Sequence, residues 1–102
     1  MAQRISDKPW SFSEADYSDE AFCLAALIDL NPKGARKTKA QCKLPVREPN
    51  GALNRNGVHA AAQRIAQVDA PASTVRKAAA MLIRLYRHLD EEPPDSLRSL
   101  AR

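Results

Sequence analysis

Apolar positions along this chain fall into three runs with helical spacing, separated by proline, glycine and asparagine. Ser18 is placed to cap the first helix, with Asp19 and Glu20 in its first turn, where carboxylates meet the positive end of the helix dipole. Its body, Ala21 to Leu30, is apolar almost all round, the pattern of a helix central to a core, and Asn31-Pro32 with Gly34 stops it. Asn54 caps the second helix, and Leu53 before it packs on Val58 as a hydrophobic staple. Val58, Ala61, Ala62, Ile65 and Ala66 then share one stripe, mostly alanine, which predicts tight packing against another helix rather than a ligand pocket. A third helix is predicted from about Ala72 to Asp90, capped by Asp69 or Ser73 with Pro71 in its first turn. Val75, Ala78, Ala79, Leu82, Leu85, Tyr86 and Leu89 give it the strongest periodicity in the chain. Glu91-Glu92-Pro93-Pro94 ends it, and Leu97 and Leu100 of the tail either dock on the bundle or fray.

Between the first and second helices, Lys33 to Asn54 reads as mostly non-helical. The turn signal Pro49-Asn50-Gly51 separates Leu44-Pro45-Val46 from Ala52-Leu53, which fits a small hairpin or an ordered loop. Pro45 confines any strand here to an edge or a two-stranded ribbon, and Lys37 to Lys43 has room for one helical turn. A chain of 102 residues is one domain's worth of material. The expected fold is therefore mainly α: a three-helix domain over residues 19–100, with a short hairpin or irregular loop between helices one and two, preceded by an N-terminal arm over residues 1–18.

Composition narrows the function classes. Hydrophobic residues make up 44%, charged residues 27% and aromatics 5%, ordinary for a globular chain with a core rich in alanine and leucine. The longest apolar run, Ala21 to Ile28, is closed by Asp29 and is far short of the ~18 residues of a membrane span. Met1-Ala2-Gln3-Arg4 has none of the apolar stretch of a secretory signal, so the expected setting is cytoplasmic. The net charge of +4 is unevenly distributed. Residues 1–30 hold two bases and six acids, a net −4. Residues 31–64 hold Lys33, Arg36, Lys37, Lys39, Lys43, Arg47, Arg55 and Arg64 against Glu48 alone, a net +7. Such a block either meets an anionic partner or is a solvated face balanced by the chain's own acidic third. Trp10 and Phe12 lie in a segment of little periodicity, and either anchor on a neighbour or fold back to cap the chain's own core.

Cys23 and Cys42 match no zinc module or redox pair, and Cys23 sits in an apolar run where a small buried thiol is the usual occupant. The expectation is no metal, no cofactor and no required disulfide. His59 falls off the alanine stripe of the second helix and reads as a solvated histidine beside the basic segment. Neither it nor His88 has a serine or cysteine nucleophile in a recognisable motif, and no small-molecule substrate is indicated.

A succession of short stretches carries a resemblance: Leu27-Ile28-Asp29, the run KLPVREPNGALN from Lys43 to Asn54, Val58-His59-Ala60-Ala61, Ala70-Pro71, Leu85-Tyr86-Arg87, and Glu92 to Leu97. Spanning residues 22 to 97, the pattern resembles a small module of tailed-phage virion genes found joined to prohead (capsid maturation) proteases and related capsid-assembly proteins. The resemblance implies an association with phage capsids, not a reaction. It points to a non-catalytic accessory, decoration or assembly protein in the virion or host cytoplasm, docking on the major capsid protein or scaffold. The expected contacts are the Lys43 to Leu53 loop, the basic block, and Trp10 and Phe12. The alternative is a small basic nucleic-acid-binding protein that sets the 33–64 block on phosphates and uses the third helix as a groove reader.

Overall fold

The computed structural model describes residues 4–102. Strand β1 (Ile5–Ser6) leads through a 3-10 turn at Glu14–Asp16 to helix α1 (Asp19–Ala25), and strand β2 (Ala26–Asp29) follows without a break. A loop and a 3-10 turn at Lys39–Gln41 precede β3 (Cys42–Pro45), and β4 (Leu53–Asn54) runs straight into helix α2 (Arg55–Arg64). A 3-10 turn at Ile65–Gln67 extends α2, and helices α3 (Ala72–His88) and α4 (Asp95–Ala101) complete the chain. Two small sheets form: β2 antiparallel to β3, with Ile28 opposite Lys43, and β1 parallel to β4, with Ile5 opposite Leu53.

The mainly α expectation describes this architecture, and α3 is its spine. Ala78, Ala79, Leu82, Tyr86 and Leu89 are buried along one face, meeting Val58, Ala61 and Ile65 of the alanine stripe with Ile28, Val46 and Leu53 from the sheets. Ser18 Oγ accepts the Ala21 N–H at 3.1 Å, and Asn54 Oδ1 accepts the Gly57 N–H at 2.8 Å, so both expected N-caps form. The expected cap of α3 does not: Pro71 occupies that position without a side-chain bond, and neither Asp69 nor Ser73 serves. At its other end, Asp90 adopts φ 59°, the Asp90 N–H bonds the Arg87 carbonyl and the Glu91 N–H bonds that of Tyr86. That pair of bonds is a Schellman motif with aspartate in the left-handed position usually given to glycine.

Other expectations need correction. The tail adds a fourth helix to the expected three, because Leu97 is fully buried against α3 and Arg98 ties Glu92 and Asp95 together. The first helix stops at Ala25 instead of Leu30. An apolar run such as Ala26-Leu27-Ile28 suits helix or strand equally by composition, and pairing with β3 decides for strand, burying Ile28 and exposing Asp29. The same junction holds a disulfide: Cys23, in the last turn of α1, is bonded to Cys42 at the start of β3, with Cα atoms 5.3 Å apart. The expected buried thiol is thus a covalent link between the two elements.

The hairpin reading of the proline-rich middle fits. Gly51 N–H bonds the Glu48 carbonyl across Glu48-Pro49-Asn50-Gly51, Asn54 N–H bonds that of Val46, and Gly51 takes φ +90°. The segment before α1 packs on its own domain. Phe12 stacks on Trp10 and contacts Tyr17 and Phe22, forming a satellite cluster around the disulfide.

Candidate partner-binding groove

Half of the basic block is engaged inside the fold. Lys37 Nζ lies 2.5 Å from Asp29 Oδ2, and this bond holds the Asp29 carboxyl below its ordinary value. Lys39 Nζ donates to the Glu14 carbonyl at 2.8 Å, fastening the loop before β3 to the segment before α1. Arg55 bridges Asp7 at 2.6 Å and Glu91 at 2.5 Å, joining the start of α2 to the β1 segment and to the end of α3. Arg47 is half-buried, and burial pulls its pKa down; its guanidinium donates to the Gly51 carbonyl at 3.3 Å. Lys33, Arg36, Lys43 and Arg64 make no ion pair among the described residues.

Two of those four bases meet the two expected aromatics in one place. A groove of about 390 Å³ lies between the segment at Trp10 and Phe12, strand β3, and the face of α2 with its 3-10 extension. Leu44, Pro45, Ala60, Ala61 and Val68 supply apolar walls, and Lys43, Arg64 and Gln67 supply the polar groups. Trp10 is a wall here rather than a free hook. A methyl group on Gly57 would stand 3.0–3.1 Å from three atoms of the indole, so α2 lets the ring approach through a position with no side chain. The Phe12 ring stacks on it at 5.6 Å and 18°.

Leu44 contributes to this groove from a strained backbone. Its φ of 62° is in the left-handed region, which a bulky side chain occupies at a cost of about 1–2 kcal/mol. Pairing of Lys43 with Ile28 and of Pro45 with Ala26 holds it there from both sides. Chemically, the arrangement offers an apolar trough with two cations and no acidic side chain, suited to an apolar segment that carries a carboxylate.

Of the residues expected to bind a partner, the groove therefore gathers Trp10, Phe12, Lys43 and Arg64. Lys33 and Arg36 lie on the exposed loop after β2, and Lys37, Lys39, Arg47 and Arg55 are bound elsewhere. Sequence reading missed Ala60, Gln67 and Val68. Spacing of Ala60 and Arg64 by one helical turn, with Gln67 three further on, marks a second stripe on α2 beside the buried one.

His59 is not simply solvated. Its Nε2 lies 2.6 Å from Glu91 Oε1, and its ring is 5.7 Å from that of Tyr86. Burial works to raise the pKa of Glu91, but hydrogen bonds from Arg55 and His59 outweigh it and the carboxyl is held low. A second polar hub is Asn54, 1% exposed, whose amide donates to Glu48 Oε2 at 2.8 Å and to the Lys8 carbonyl at 3.2 Å. Bonds from the Ser6 hydroxyl and Asn54 hold the Glu48 carboxyl below its ordinary value. Among the described residues, no helix is long and apolar enough to cross a membrane. Comparison with family models, with curated proteins and with solved structures gives no match.

Proposed function

We propose that this chain is a non-catalytic protein-binding module of a tailed-phage capsid, an accessory, decoration or assembly protein whose groove between Trp10, β3 and α2 receives a segment of the major capsid or scaffold protein. What carries the reading is the convergence of Lys43 and Arg64, two bases without an internal partner, on an apolar trough walled by Trp10 and Phe12. The resemblance of residues 22 to 97 to a virion module supplies the biological setting. A virion setting also suits the Cys23–Cys42 bond, since disulfides persist on virion surfaces and are rare in a reducing cytoplasm.

The test is charge reversal confined to the groove. Lys43→Glu with Arg64→Glu should leave the circular dichroism unchanged and abolish co-sedimentation with assembled capsids of the parent phage. Reversing Lys37 as well would set a glutamate beside Asp29 and damage the fold, so the whole block is the wrong target. A folded double variant that still co-sediments refutes the reading. The nucleic-acid alternative is less well served, because Lys37 and Arg55 are held in ion pairs and Lys39 on a backbone carbonyl, which leaves Lys33, Arg36, Lys43, Arg47 and Arg64 of the block for phosphates. Five contacts from the block correspond to a log–log slope of roughly −4.5 on duplex DNA.

A further inference from the structure

A different face of the molecule holds its most exposed leucine. Leu24, on the outer side of α1, is 82% exposed and Met81, on α3, is 41% exposed, and the two line one groove of about 310 Å³ floored by Ala25, Val46 and Leu85. Large apolar side chains left in water on facing elements lose the stabilisation that burial gives. Arg47 and Arg84 also line this groove, and no acidic side chain does. Neither arginine has a carboxylate partner among the described residues. Arg47 stands out here, since a half-buried guanidinium with one bond to a neutral carbonyl is incompletely compensated. A smaller hollow of about 120 Å³ shares Leu24, Ala25 and Arg47 and continues the trough toward Glu48, Pro49 and Gly51, where the Glu48 carboxylate is engaged by the Asn54 amide.

We propose that the trough between α1 and α3 is a second docking surface, for a partner-protein segment that places an aliphatic or aromatic side chain against Leu24 and Met81 and carboxylates on Arg47 and Arg84. Charge complementarity selects the occupant: two unpaired guanidinium groups beside an apolar floor favour an acidic, apolar segment over a basic or neutral one. This surface does not depend on the groove at Trp10. A module with two such faces can join two neighbours, whereas a single groove can only attach.

The experiment pans a random twelve-residue peptide library on the folded, oxidised chain, with counter-selection on the Leu24→Gln/Met81→Gln variant. Both side chains are exposed, so the variant is expected to fold, and circular dichroism checks this. Enriched peptides should combine Asp or Glu with Leu, Ile or Phe. A synthetic representative should bind the wild-type chain at least tenfold more tightly than Leu24→Gln/Met81→Gln or Arg84→Glu, and equally tightly to Lys43→Glu/Arg64→Glu. The proposal is overturned by no peptide that depends on Leu24 and Met81, by enriched peptides without carboxylates, or by a chain that sediments as a dimer dispersed by Leu24→Gln, which would make a second copy the occupant. Loss of binding in Lys43→Glu/Arg64→Glu alone would assign the peptides to the other groove and likewise overturn it.

Discussion

Reduction of the Cys23–Cys42 bond is the most informative perturbation of this fold. The bond closes a loop with a sequence separation of 19, and a cross-link over that length removes about 3 kcal/mol of loop-closure entropy from the unfolded chain. For a domain of this size each kcal/mol moves the thermal midpoint by about 4–8 °C, so reduction should lower it by roughly 12–24 °C. The loss should be felt first around the bond, where Phe12, Tyr17 and Phe22 form a cluster separate from the main core. Trp10, the one tryptophan, stacks on Phe12 and reports on that cluster by its emission. The assay is thermal unfolding followed by far-ultraviolet circular dichroism and by tryptophan fluorescence, with and without reductant, and in the Cys23→Ala/Cys42→Ala variant. A midpoint that moves by less than about 2 °C in the reduced protein would refute the entropy argument. Chelator should leave the midpoint in place, since both sulfurs of the Cys23, Asp29 and Cys42 cluster are bonded to each other.

Asn54→Ala should cost roughly 1–3 kcal/mol, about 1 for the cap of α2 and the rest for the bonds lost at Glu48 and the Lys8 carbonyl, which keep Ser6 and Asn56 as donors. Asn54→Asp keeps the cap yet faces Glu48 with a second carboxylate, and wild-type stability for that variant in urea would show that the amide contributes nothing. Gly57→Ala gains about 1 kcal/mol of helix propensity but drives a methyl into the Trp10 ring, an overpacking worth about 1–3 kcal/mol, so the net change should be destabilising with altered tryptophan emission. A stabilised Gly57→Ala with unchanged emission would contradict it. Asp29, Glu48 and Glu91 are all held below their ordinary values, so each contributes stability that is present above its unfolded value and is lost as pH falls through the folded one. The urea midpoint should therefore be level above about pH 5 and drop below about pH 4; an unchanged midpoint down to about pH 3 would contradict the sign.

What could be read in the sequence was whatever local chemistry decides. Ser18 and Asn54 have the right oxygen three residues before an orphan N–H, the apolar spacing on α3 repeats long enough to fix its buried face, and Pro49-Asn50-Gly51 carries its own turn. What could not be read depends on partners far along the chain. Residues 26 to 29 become a strand because residues 42 to 45 lie beside them, and nothing within the run itself distinguishes that outcome from another helical turn. The cysteine pair was hidden for the same reason: a separation of 19 is compatible with a bond only once α1 ends early and turns its last residues toward β3.

The candidate site shows the same division from the side of charge. Counting residues puts a net +7 between positions 31 and 64, which on its own would repel itself and call for an anionic partner. Folding brings the acidic third of the chain to it. Asp29 takes Lys37, Asp7 takes Arg55, and Glu91, from beyond α3, shares Arg55 with His59, so the repulsion is relieved internally at two of the eight bases, while Lys39 and Arg47 are held on neutral carbonyls. The block is then not one surface: half of it fastens the fold and half is left over. Binding should be sought where a base without a carboxylate meets an apolar hollow, within the block or beside it. Lys43 and Arg64 beside Trp10, and Arg47 and Arg84 beside Leu24, are bases next to apolar hollows and without carboxylates of their own. Charge reversal at these residues disturbs no internal ion pair, whereas reversal at Lys37 or Arg55 attacks the fold itself, so the proposed binding should be separable from stability by mutation.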